Sequence, residues 1–96
     1  MKTLADIKAI LASHKAELRK KYKVRQLGIF GSYATGSAQE GSDIDLLVEL
    51  EEPIGLEFVT LAEELEALLG VKVDLVSLHA IQPRMLPHVK EALVYV

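Results

Sequence analysis

The sequence predicts one α/β (α+β) domain over residues 1–96, a small mixed three-stranded sheet with covering helices. Three observations predict it. A length of 96 residues, half of them hydrophobic, leaves room for a single modest core. Stretches of helical period alternate with short apolar runs in the order α-β-(α)-β-α-β-α. The second and third of those runs are joined through a helix, so the crossover rule makes them parallel.

Leu4, Ile7, Leu11, His14 and Leu18 recur at three- and four-residue steps. They mark an amphipathic helix with Thr3 as N-cap, ending around Lys21. Val24 to Phe30 reads as a strand, stopped by Gly31-Ser32. Tyr33 to Ala38 suits a short helical turn, and Gln39 to Ser42 a loop. Asp43 to Leu50 is a second strand, broken by Glu51-Glu52-Pro53. Leu56 to Leu69 follows as a helix with Phe58, Leu61, Leu65 and Leu68 facing inward and Gly70 as its stop. Val71 to Val76 is the third strand, and a short helix starts near Pro87. The closing Ala92 to Val96 either docks against another protein or closes this domain's own core.

Composition excludes several classes. No run is apolar enough to span a membrane, and the N-terminus is too broken by charge for a signal peptide. With no cysteine there are no disulfides or thiolate metal sites, which fits a cytoplasmic protein. The net charge of −3 hides an asymmetry: residues 1–25 hold eight of the eleven Lys and Arg, whereas the rest is strongly acidic. The basic run Arg19 to Arg25 reads as a solvated helix end complementing the helix dipole, not as a nucleic-acid surface.

One stretch resists a purely structural reading. In Asp43 to Leu50 an otherwise apolar strand carries Asp43 and Asp45, whose alternation puts both on the face opposite Ile44, Leu46 and Val48. The pair stands about 7 Å apart, two strand rises. Paired carboxylates in a half-buried strand are costly unless a cation is supplied. Asp74, mid-strand between Val73 and Leu75, can face the same cluster if the two strands are neighbours. Three carboxylates without Cys or paired His suit Mg²⁺ or Mn²⁺ rather than Zn²⁺. Upstream, Gly31 and Ser32 open a helical turn whose amides and hydroxyl suit phosphate oxygens. Together these outline a phosphoryl-handling site.

The stretch Gly31 to Leu50, "GSYATGSAQEGSDIDLLVEL", resembles the signature of the DNA polymerase beta-like nucleotidyltransferase superfamily. It is most similar to the minimal nucleotidyltransferases. The resemblance implies the minimal nucleotidyltransferase fold, with two Mg²⁺ ions held by Asp43, Asp45 and Asp74 and the triphosphate of ATP held at Gly31 and Ser32. It implies transfer of AMP from ATP to an acceptor hydroxyl, with Asp74 helping to take the proton. It further implies an antitoxin acting with a small helical HEPN-domain toxin, modified on a tyrosine. Commoner forms of the signature carry Arg where this chain has Thr35, which cannot replace that charge. Gly36, Ala38 and Ser42 fit the usual small-residue loop.

Three functions follow: a Mg²⁺-dependent AMP transferase for a partner protein, an antitoxin that works by binding alone, or a transferase for a small hydroxylated acceptor. Three retained acids favour catalysis over binding alone, and the short remainder after Val76 leaves no acceptor domain for the third. Self-association stays open. Elsewhere the plainer readings prevail: His14 at the core edge, His79 and His88 at the surface, and Glu63, Glu64 and Glu66 on a solvated helix face. Tyr33 suits either base stacking or a structural place beside the loop.

Overall fold

A computed structural model describes residues 1–96, the side chain of His88 excepted; the surface reading of His88 lies outside the described residues. Helix α1 (Leu4–Tyr22) begins where its capping signal stands. Thr3 Oγ1 accepts from the Asp6 amide at 3.1 Å, and the Asp6 carboxylate accepts from the Thr3 amide at 3.0 Å. The helix stops at Lys23, whose left-handed backbone (φ 61°) lets its N–H donate to Arg19 O at 2.8 Å. Strand β1 (Val24–Phe30) follows, then the single turn α2 (Ser32–Thr35), β2 (Ile44–Leu50), α3 (Glu57–Leu69) and β3 (Val73–Ser77). Two 3-10 turns at Leu78–Ala80 and Pro83–Met85 lead into α4 (Leu86–Glu91) and β4 (Val94–Tyr95).

The sheet runs β3-β2-β1-β4, with β2 and β3 parallel and the other pairs antiparallel. A mixed sheet with a parallel crossover is as the element order requires, but it has four strands rather than three. The added β4 is only two residues long, too short to show a period-two pattern. It forms because β1 would otherwise be an open edge: Val94 lies opposite Ile29 and Tyr95 opposite Gly28, and the Val96 amide donates to Leu27 O at 2.9 Å. Lys15 Nζ donates to Val96 O at 2.7 Å. The C-terminal segment therefore closes this domain's own sheet.

The core lies on one face of the sheet. Leu27, Ile29, Ile44, Leu46 and Val48 are buried there against Ile7, Leu11 and Leu18 of α1 and Leu61, Leu65 and Leu69 of α3. Leu69, not Leu68, completes the inner stripe of α3, a shift of about 100° around the helix. Strand β3 starts at Val73, two residues later than the apolar run suggests, because Val71 lies in a bend before the ladder. The inner-face register leaves the opposite face free for Asp45.

Charge pairing ties these layers together. Arg19 meets Glu51 at 3.0 Å, Lys21 meets Glu64 at 2.7 Å, Lys23 meets Glu52 at 2.6 Å and Arg25 approaches Glu49 at 3.7 Å. The basic run thus faces acids of its own chain as well as the helix pole. Two glutamates placed on a solvated face turn out to be structural. Glu64 accepts from Lys21 and from the Tyr22 hydroxyl (3.2 Å), and Glu66 accepts from the Val73 amide at 3.1 Å. Sequence period alone cannot find them, since their partners are distant in the chain.

Candidate active site

The parallel ladder sets Asp45 directly beside Asp74, on the same face by register. Asp43 lies one residue ahead of β2, exposed, and shares the parity of Asp45. On the other side of Asp45, Phe30 of β1 occupies the antiparallel register position, and Gly31 follows it. All three predicted acids and the Gly31-Ser32 turn therefore gather at one end of one sheet face.

Gly31 explains how the turn and the acid coexist. Its backbone (φ 71°, ψ −149°) lies in a region essentially reserved for glycine. A β-carbon there would overlap the Asp45 carboxylate, with the carboxyl carbon 2.9 Å away. The missing side chain is the space that the carboxylate occupies. Its carbonyl accepts from the amides of Ala34 (3.1 Å) and Thr35 (3.0 Å), which closes the single turn of α2.

Asp45 is half-buried, and burial pushes its carboxyl above the ordinary value of 3.8, with the charges of Asp74 and then Asp43 adding to the rise. Asp45 thus sits within the field of both other acids. They are not drawn to a common point: among the described residues no three His, Cys, Asp and Glu side chains already gather in metal-holding geometry. The donor set nevertheless fits a hard divalent cation, being all-carboxylate and open to solvent at Asp43 and Asp74.

The remaining predicted residues fall as follows. Tyr33 is buried in the core cluster and so is structural, not a base-stacking platform. Thr35 is exposed, and its hydroxyl pairs within the loop with Ser37 Oγ at 2.8 Å and Ser32 O at 3.3 Å. His14 is half-buried, its Nδ1 within 2.9 Å of Ile10 O, as befits a core-edge residue. His79 is exposed. Gly28 stands in close packing inside β1: a β-carbon on it would come within 2.6 Å of Leu93 Cδ1. A glycine inside a strand is the available signal for such close approach. An apolar groove of about 480 Å³, lined by Leu50, Ile54, Phe58, Leu75 and Val76, contains none of the predicted site residues. No described helix is long and apolar enough to cross a membrane.

Acids at matched positions of neighbouring strands beside a Gly-Ser turn, on a small mixed sheet, form an arrangement suited to handling nucleotide phosphates. The nucleotidyltransferase domain family matches residues 11–96. A protein adenylyltransferase of Thermococcus cleftensis, MntA, is 48% identical over 97 residues, spanning 100% of this chain and 98% of that one. A solved structure assigned as a minimal nucleotidyltransferase is 36% identical with a TM-score of 0.73, covering 92% of this chain and 93% of that chain. A chain in the crystal structure of a toxin–antitoxin with AMP-PNP is 26% identical with a TM-score of 0.72, covering 86% and 69%. The chain belongs to the nucleotidyltransferase family, as one of its minimal members.

Proposed function

We infer that this chain transfers AMP from ATP to a hydroxyl, a tyrosine of a small helical HEPN-type toxin, and acts as that toxin's antitoxin. The observation that carries the catalytic part is the Asp45 carboxylate seated against Gly31 with Asp74 beside it in the ladder. The protein adenylyltransferase name of the Thermococcus relative and the toxin–antitoxin with AMP-PNP support the nucleotide and the partner.

Asp43, Asp45 and Asp74 would hold two Mg²⁺ ions, with Mn²⁺ a chemical equivalent. Mg²⁺ held there would supply charge that favours ionisation of the acceptor hydroxyl and neutralises the phosphates. Gly31 and Ser32 orient the triphosphate through backbone amides at the start of α2. The acceptor oxygen bonds to the α-phosphorus as the bond to pyrophosphate breaks in line. Asp74, exposed at the open end of the cluster, takes the hydroxyl proton. The ionised form of Asp45, disfavoured by burial and by its neighbours, would be stabilised by a cation beside it.

The test is transfer of label from α-labelled ATP in Mg²⁺ to the co-expressed toxin, with Asp45→Asn in parallel. Labelling of the toxin that disappears in the variant supports the reading. Labelling that persists unchanged in Asp45→Asn removes the acid cluster from the reaction. A variant that still binds and neutralises the toxin, beside an equally label-free wild type, leaves an antitoxin that works by binding alone.

A further inference from the structure

Between Gln26 and Pro83 the chain has eleven acidic residues and one cation, Lys72. Its place in the ladder is specific. Ile44 lies opposite Val73 and Asp45 opposite Asp74, and the Ile44 amide donates to Lys72 O at 2.9 Å. One step further back, Lys72 stands beside Asp43 and shares the parity of Asp74. Lys72 is thus the cation that the sheet register brings to the acid face, at the end where Gly31-Ser32 opens. It is exposed, and among the described residues it enters no ion pair, in contrast to Arg19, Lys21, Lys23 and Arg25, which are all matched to glutamates. The loop supplies no alternative, since Thr35 is uncharged and its hydroxyl is engaged with Ser37 and Ser32.

We propose that Lys72 is a nucleotide-binding residue of this site, its ammonium contacting the polyphosphate of ATP and the pyrophosphate that leaves. The assignment rests on reading the acid face as the ATP site. An exposed face carrying Asp43, Asp45 and Asp74 repels a triphosphate electrostatically. A flexible ammonium at its rim offsets that repulsion on approach and donates charge-assisted hydrogen bonds once the phosphates are in place. The competing role for a lysine here is protection of the open β3 edge against strand pairing, which needs charge but no nucleotide contact.

Equilibrium binding of Mg²⁺–AMP-PNP to the whole chain separates the two, because it needs no acceptor. Lys72→Met should weaken binding about tenfold, the size of a lost charged hydrogen bond. Lys72→Arg should stay within about twofold of wild type. Lys8→Met, an exposed charge on α1, should leave affinity unchanged. Competition by pyrophosphate should weaken in Lys72→Met, while AMP, which lacks the outer phosphates, should bind almost as before. Unchanged Mg²⁺–AMP-PNP affinity in Lys72→Met, or an effect limited to self-association, overturns the assignment. The Asp45→Asn arm keeps the two readings apart. If it loses Mg²⁺-dependent binding while Lys72→Met does not, only Lys72 is misassigned. If wild type shows no Mg²⁺–AMP-PNP binding, both fall together.

Discussion

The Asp45 carboxylate occupies the space a side chain would fill on Gly31, and no other residue at 31 allows both the turn and the acid to stay where they are. This single packing relation links a backbone requirement to a chemical one. The glycine is needed for its positive φ and for its emptiness at the same time.

Gly31→Ala should therefore cost stability and chemistry together. Backbone strain alone is of the order of 1–3 kcal/mol, and the Asp45 carboxylate must also move. Urea unfolding is expected to show a lower midpoint with an unchanged m-value, alongside loss of label transfer. A fully active alanine variant would separate the carboxylate's position from the reaction.

Asp45→Asn should abolish transfer, by at least about 100-fold, yet stabilise the metal-free protein. The sign follows from the raised carboxyl. Above 3.8 the folded chain binds more protons at Asp45 than the unfolded chain, so stability falls as pH rises through that interval and the cost remains at neutrality. The stability gap between Asp45→Asn and wild type, in chelator, should open as pH rises from about 4 and then level off. A gap that is flat with pH, or of opposite sign at pH 7, contradicts the assignment. Adding Mg²⁺ should narrow it for wild type only.

Deleting Val94 to Val96 removes β4 and re-exposes the β1 edge. Three residues of ladder and the Lys15 contact are lost. With about 1 kcal/mol per net hydrogen bond, a loss of about 2 kcal/mol is expected, or roughly 10 °C in Tm for a domain of this size. Because the acids lie on or next to β2 and β3, away from β4, Mg²⁺–AMP-PNP binding should persist at low temperature. Calorimetry and a binding titration on the same sample check both halves.

Glu64→Gln tests the bridge between α1 and α3. Lys21 holds the Glu64 carboxyl below its ordinary value, against a smaller opposing effect of burial. A depressed folded-state value gives stability that is present above the unfolded value of 4.5 and lost as pH falls through the folded one. Wild type should thus lose a small, salt-sensitive increment on acidification that Glu64→Gln lacks. The exposure of Lys21 keeps that increment modest. Matched acid titrations of thermal stability at low and high salt would expose a flat difference if the bridge contributes nothing.

Much of the local structure was written in short-range pattern. Thr3 and Asp6 form their reciprocal cap because both partners lie within one helical turn. Strand β1 runs from Val24 to Phe30 as its residue types indicate, and Gly70 ends α3 in the left-handed region. The two-residue β4 carries no such pattern; its pairing was decided by the unfilled edge of β1. The inner stripe of α3 ends on Leu69 rather than Leu68 because apolar neighbours at 68 and 69 leave the rotation of the helix to its packing against the sheet. Glu64 and Glu66 looked solvated because their partners, Lys21, Tyr22 and Val73, come near only in the folded chain.

The sequence alone determined which residues share a face and where the turn opens. A period of two puts Asp43 and Asp45 on one face, and a glycine before a serine opens a turn, because both follow from bond geometry within a few residues. Tertiary structure decided what those residues stand next to. Asp74 joins Asp45, Lys72 stands beside Asp43, and Asp45 fills the space at Gly31 because β2 pairs with β3 and β1 in one register. That register is chosen by burying Ile44, Leu46 and Val48 on the core face, since a slip of one residue would place the acids in the core.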